Sequence, residues 1–312
     1  MASSSVFATP PDATERIGLF NIDAGGWSHR GNLVLNAACA AGLDVVIVSE
    51  AHVPQGVRPY LPEDSVFQIF WTQPRVGRGS GVPGGVIVLV RRVGGPFAAA
   101  AVETTGACAD WLWVRLDRTG ARPLFVGGCY LPPSGASSCC TTPRCDCTKA
   151  HPREAIPKVL EEARELSVLG DVVLGGDLNT HFFEPNRGAV RARILESALS
   201  ADVPHFSVLP SPPTHDSRLS QCVGRPQRPS TIDLVLVPAS DVGSAVLSVK
   251  REAVPLAHAL VVVDLALRVA RSPAHDGGPP PPGVQRCTRP RATRVRPVRA
   301  SAPEWDAFAA AT

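Results

Sequence analysis

The chain has 312 residues, 44% hydrophobic and only 5% aromatic, with a formal net charge of +3. That is enough apolar material for one large α/β domain or two small ones, with a core made mainly of Val, Leu and Ala. No apolar run approaches the ~18 residues of a membrane span. The opening stretch MASSSVFATPPDATER lacks the basic-then-apolar order of a secretory signal, so the expectation is an intracellular, nuclear protein with no membrane partner.

In chain order, residues 1–16 read as a flexible N-terminus, and Ile17 to Asp23 as a strand ending in FNID. Ser28 is a candidate cap for a helix running to about Ala41 and stopped by Gly42. Asp44 to Ser49 is a continuous apolar run, so a buried strand is expected, with Glu50 at its end. Val66 to Trp71, Gly85 to Val90, Trp111 to Leu116 and Leu124 to Tyr130 follow as strands between Gly and Pro clusters. Pro152 to Val168 has helical spacing, with Ile156, Val159, Leu160, Ala163 and Leu166 on one face. Val172 to Leu174 is a strand leading into GGDLN (Gly175 to Asn179), and Arg187 to Ser200 is a second helix. Ile232 to Val237, Val242 to Val249 and Ala259 to Leu267 close the strand list. Two strand-rich halves, each ending in a rim carboxylate, fit two sheets packed face to face.

Residues 269–312 are different material. Pro, Gly and Arg dominate between Pro273 and Arg299, which cannot repay the entropy of ordering. From Ala266 onward eight arginines stand against three acids, so the basic charge lies in the tail and the rest is slightly acidic. Such a tail attracts phosphate without reading sequence; a solubilising linker is the other reading.

Nine cysteines without a secretory signal read as reduced thiols. Cys139, Cys140, Cys145 and Cys147, with His151, form a tight cluster. Its C-x-C spacing is unlike the usual paired zinc ligands. A loop with reduced thiols is favoured over a structural Zn²⁺ there.

The strand ends carry the chemistry. Asn21 and Asp23 are two apart and share a strand face, as do Asp177 and Asn179. The glycines before Asp177 let backbone approach a ligand closely. Asp233 lies inside the apolar strand STIDLVLV, where a lone carboxylate is costly unless paired. His258 is its natural partner, since a carboxylate on one ring nitrogen fixes the tautomer and raises the pKa. Three carboxylates, two amides and an Asp/His pair suit Mg²⁺ or Mn²⁺ and hydrolysis of a phosphoester.

The order FNID, VSE (Val48 to Glu50), GGDLN, STIDLVLV (Ser230 to Val237) and LAH (Leu256 to His258) resembles the endonuclease/exonuclease/phosphatase superfamily from Ile17 to Leu267. Within it the chain is most similar to the endonuclease domain of non-LTR retrotransposons, which share a Pro-Thr segment like PPTHDS (Pro212 to Ser217). The resemblance implies an α/β (α+β) fold, a four-layer DNase I-like sandwich of two packed mixed sheets flanked by helices. It implies Glu50 as principal Mg²⁺ (or Mn²⁺) ligand helped by Asn21 and Asp23, Asp177 directing water, and Asn179 and Tyr130 on the phosphate. It makes DNA the substrate and a downstream reverse transcriptase a possible partner in one polyprotein. Two positions depart from the pattern: Ala257 stands where the family has Asp, and Pro133 where it has Asn. A lipid or inositol phosphatase of the same fold, and a degenerate module that binds nucleic acid without cleaving it, stay open as alternatives.

Overall fold

Runs of Val, Ile and Leu bounded by Gly and Pro form the strands, and three amphipathic segments form the helices. The computed structural model describes residues 14–22, 25–54, 56–72, 84–92, 97–102, 110–118, 121–131, 152–183, 189–200, 205–215, 230–251 and 256–266. In order these are β1 (Thr14–Asn21), α1 (Gly26–Ala40), β2 (Val45–Ser49), β3 (Phe67–Trp71), β4 (Val86–Arg91), β5 (Phe97–Val102), β6 (Trp111–Arg118) and β7 (Leu124–Tyr130). There follow α2 (Pro152–Leu169), β8 (Asp171–Asp177), α3 (Ala189–Ser200), β9 (Phe206–Val208), β10 (Asp233–Pro238), a 3₁₀ helix (Ala239–Ser244), β11 (Ala245–Lys250) and β12 (Leu260–Ala266).

Two six-stranded sheets result, ordered β11-β12-β1-β2-β4-β3 and β5-β6-β7-β8-β10-β9. Each has one parallel pair, β1 with β2 and β7 with β8, and is otherwise antiparallel. Both sheets are therefore mixed. Ile17, Ile47 and Val88 of the first pack against Val114, Val126 and Val173 of the second, between the sheets. Val34 and Ala38 of α1 cover the outer face of the first sheet. Ile156, Val159 and Leu160 of α2 and Leu195 of α3 cover that of the second. The layers run helix, sheet, sheet, helices, the expected α/β sandwich. Among the described residues no helix is long and apolar enough to cross a membrane.

The two packed sheets are as expected, and β11 and β12 return to the first of them and pair through to β1. Several local expectations are corrected. Strands β5 and β9 were not anticipated. Ser28 does not cap α1; the helix begins at Gly26, where the Trp27 N–H donates to the Ala51 carbonyl (2.7 Å), a tertiary tie. The reading of a strand from Val242 fails for its first residues, which belong to the 3₁₀ helix. There Ser244 Oγ donates to the Asp241 carbonyl at 2.8 Å, and extended backbone resumes at Ala245. Asp23, Pro133, the cluster Cys139 to His151 and the tail 269–312 lie outside the described residues.

At the end of the sandwich where β1 and β8 begin, Glu15 and Asp171 share Arg118 of β6. Burial is the main force on Glu15 and lifts its pKa from 4.5 to about 7, against the pull of the Arg118 charge and hydrogen bond.

Candidate active site

At the opposite end, four parallel-paired strands deliver their last residues to one rim. β1 ends at Asn21, β2 at Ser49, β7 at Tyr130 and β8 at Asp177, while β10 starts there with Asp233 directly across from Asp177. The sheets meet closely because β8 carries glycine. A Cβ on Gly175 stands 2.9 Å from Leu19 Cδ2 and 3.1 Å from Ile47 Cδ1 of the other sheet. Gly176 (φ +143°) is tighter still, since a Cβ there falls 1.8 Å from the Cys129 carbonyl oxygen. Ser49 stitches the rim across the interface, donating from Oγ to the Cys129 carbonyl at 3.2 Å and accepting from the Asp177 N–H at 3.3 Å.

Asn21 links the two sheets chemically. Its Nδ2 donates to Asp177 Oδ2 at 2.9 Å and to Glu50 Oε1 at 3.3 Å. His52 approaches the other Glu50 oxygen, Oε2, at 3.4 Å. Glu50 (φ 57°), His52 (φ 47°) and Asn179 (φ 47°) are the three non-glycine residues with positive φ among those described, and all lie at this rim. Such conformations cost energy and persist where surroundings over-determine them. Here the loop is fixed from both sides: Ala51 and His52 N–H groups donate to the Gly85 and Gly84 carbonyls at 3.1 and 2.9 Å, and Trp27 holds the Ala51 carbonyl.

Asp177 is buried, and its Oδ1 accepts the Asn179 N–H at 2.7 Å. Burial, then the neighbouring Asp233 charge, hold its pKa well above the ordinary carboxylate value, with His258 and the Asn179 N–H pulling the other way. Asp233 and His258 form the expected pair, with His258 Nδ1 2.7 Å from Asp233 Oδ2 and both side chains buried. Burial acts against charge on both. The Asp233 carboxylate prevails and raises His258 to about 9, while the His258 charge and hydrogen bond, helped by Thr214, hold Asp233 below its usual value. Thr214 Oγ1 also accepts the Asp233 N–H at 3.3 Å, and the His215 ring lies against that of His258, centroids 4.5 Å apart.

Asn179 donates from Nδ2 to the Leu131 carbonyl at 2.8 Å. Tyr130 is 7% exposed, and its ring supports the Gly84 turn, where a Cβ comes within 3.0 Å of it. Ala257 is buried beside His258. Of the expected residues, the structure gathers Asn21, Glu50, Asp177, Asn179, Tyr130, Asp233 and His258. It adds four that sequence reasoning had not put there: His52, Thr214, His215 and Arg191. His52 and His215 belong to no periodic pattern of their own, and Arg191 is one of three charged residues on α3. PPTHDS and the spacing Glu50-x-His52 were the available signals.

No protein-family model matches the sequence, and no curated protein aligns with it. Solved structures do match. The endonuclease domain of TRAS1, a telomere-specific non-LTR retrotransposon, superposes with TM-score 0.54 at 15% identity, over 82% of this chain and 99% of that one. AP endonuclease LMAP from Leishmania major gives TM-score 0.60 at 12% identity, over 82% of this chain and 88% of its own. An endonuclease/exonuclease/phosphatase protein from Beutenbergia cavernae gives 0.54 at 18%, over 81% and 72%. The chain has the endonuclease/exonuclease/phosphatase fold. The rim just described is one end of that fold's two sheets.

Among the described residues no three His, Cys, Asp or Glu side chains gather into a metal cluster. The donor chemistry at Glu50 nonetheless fits a hard divalent cation that keeps most of its waters. Its carboxylate is 19% exposed, and its contacts to Asn21 and His52 (3.3 and 3.4 Å) are longer than usual charge-assisted hydrogen bonds. Its oxygens are thus lightly held.

Proposed function

We propose that this chain is a divalent-metal-dependent phosphodiesterase that cleaves DNA, an endonuclease of retroelement type. The observation that carries the reading is the joint placement of Glu50 and Asp177, from different sheets, on the single amide of Asn21, with Asp177 facing the Asp233–His258 pair. Carboxylates, amides and a charged imidazole converging at a sheet rim make a phosphoryl site rather than a core. DNA as substrate is supported by the named neighbours, which include two endonucleases and a Neisseria 3′ phosphatase bound to a product DNA hairpin. The retroelement assignment rests on the TRAS1 likeness and on PPTHDS, and leaves room for a reverse transcriptase downstream.

Mg²⁺ or Mn²⁺ would be held by Glu50 with Asn21 beside it; Asp23, the third ligand expected from the sequence, lies outside the described residues. When bound, the cation supplies positive charge against the phosphate and the departing oxygen. Asp177 accepts a hydrogen bond from the attacking water and aims it in line with the leaving 3′ oxygen. His258, held by Asp233 through Nδ1, offers its other N–H to a non-bridging phosphate oxygen. Asn179 has a second amide hydrogen beyond the one given to Leu131, and that hydrogen serves the same phosphate. Tyr130 contributes at the edge of this group. Incubation of the purified protein with supercoiled plasmid tests the proposal: open circles should form with Mg²⁺ and not with EDTA. No nicking under either condition removes it.

A further inference from the structure

Arg191 is a feature of the rim that the proposed chemistry leaves unused. It is the third residue of α3, in the helix's first turn, is 8% exposed, and reaches across to the site. Its Nη1 donates to the Asn179 carbonyl at 3.2 Å. Burial works against its charge, whereas the Asp177 and Tyr130 charges favour it. A cation taken out of water on a helix that could have turned it to solvent calls for a use.

That use follows from Asn179. The residue has a left-handed backbone (φ 47°), which asparagine tolerates better than most side chains but which still costs energy and is kept by its surroundings. Three segments hold it there, each through a different group. Its N–H goes to Asp177 Oδ1 (2.7 Å), its side-chain Nδ2 to the Leu131 carbonyl (2.8 Å), and its carbonyl takes the Arg191 hydrogen bond (3.2 Å). The first two ties come from β8 itself and from the end of β7. Only the third comes from α3, and it brings the positive charge. Resting on the reading of Asn179 as a phosphate contact, we infer that Arg191 is the positioning residue of this site, fixing the Asn179 turn so that its amide and the Asp177 carboxylate keep one geometry toward the phosphate. Arg191 acts through Asn179 and does not touch the reacting atoms. A helix outside the sheet layer thereby controls the rim.

Two substitutions and two readouts decide this. Arg191→Met keeps the stem and removes the guanidinium; Arg191→Lys keeps a donor and the charge, but not the planar fork. Single-turnover plasmid nicking at saturating protein should fall about 10²-fold in Arg191→Met, the usual scale for misplaced catalytic geometry, with DNA affinity little changed. Arg191→Lys should recover much of that loss. Amide hydrogen exchange at Asn179 should quicken in Arg191→Met and return toward the wild-type rate in Arg191→Lys, with or without DNA. Wild-type nicking by a folded Arg191→Met protein, or unchanged Asn179 exchange, overturns the inference. Should Arg191→Met fail to fold, Arg191→Gln takes its place: slower nicking with quicker Asn179 exchange is expected, and a wild-type value of either overturns the inference. If the wild-type protein nicks nothing, the proposed function falls, and the exchange measurement still judges Arg191 by itself.

Discussion

Replacing Asp233 with Asn preserves the outline of its pairing with His258 and removes the charge. In the native protein His258 titrates at about 9 rather than 6.5, although its burial pushes the other way. Without the carboxylate, only burial and the more distant acids remain, so the imidazole midpoint should fall below the ordinary value. The difference of about 2.5 pH units corresponds to about 3 kcal/mol of selective stabilisation of the protonated ring. Because the folded value is raised, this contribution is complete below pH 6.5 and is lost as pH rises through 9. Wild-type stability should therefore decline across that window by up to ~3 kcal/mol from this group, and Asp233→Asn should show no such decline. The assay is an NMR titration of the His258 ring carbon-bound proton, beside urea unfolding at the two ends of the window. A wild-type midpoint near 6.5, or a variant midpoint still near 9, refutes the reasoning. Nicking by the variant should drop as well, since a neutral ring in an unfixed tautomer is a poorer donor to phosphate.

Three further outcomes follow from particular contacts. Glu15 also has a raised folded pKa, from 4.5 to about 7, so its contribution is present below pH 4.5 and lost as pH rises through 7; Glu15→Gln should flatten that part of the stability profile, and an unchanged slope from pH 4.5 to 7 would count against it. Gly176→Ala must push the Cys129 carbonyl off a 1.8 Å overlap, and should lower the urea-unfolding free energy by about 3 kcal/mol or more; an unshifted midpoint contradicts the geometry. Ala257→Asp should lower the Mg²⁺ concentration for half-maximal nicking by restoring an anion near the metal position, and a midpoint that stays or rises shows that residue 257 lies elsewhere.

Much of the architecture was legible because the strands are β-branched runs with sharp Gly and Pro boundaries, as in Val45–Ser49 and Leu260–Ala266. The strand Phe97–Val102 was not, because its four consecutive alanines favour helix as much as strand and carry no alternation. Phe206–Val208 is too short for any period to register. The return of β11 and β12 to the first sheet is a non-local pairing, invisible to a reading that runs along the chain. At the site, Asp233 and His258 were legible because a carboxylate inside an apolar strand demands a partner. His52 and Arg191 were not, since each acquires meaning only when a loop or a helix brings it to Glu50 or Asn179. Nor does any residue pattern announce that Glu50 takes a left-handed backbone, a consequence of the ties from Gly84 and Gly85 to its loop.

The central claim is that Glu50 and Asp177 are the working carboxylates of a DNA-cleaving site. Single-turnover nicking of supercoiled plasmid by Glu50→Gln and Asp177→Asn, each in saturating Mg²⁺, tests it most directly. Both should lose about 10²-fold or more in rate with the fold intact. Asp177→Asn should in addition unfold at an equal or higher urea concentration in EDTA, since it relieves a carboxylate that burial and Asp233 make costly to ionise. Activity falling while stability holds or rises is the predicted result; wild-type nicking by either folded variant contradicts the account.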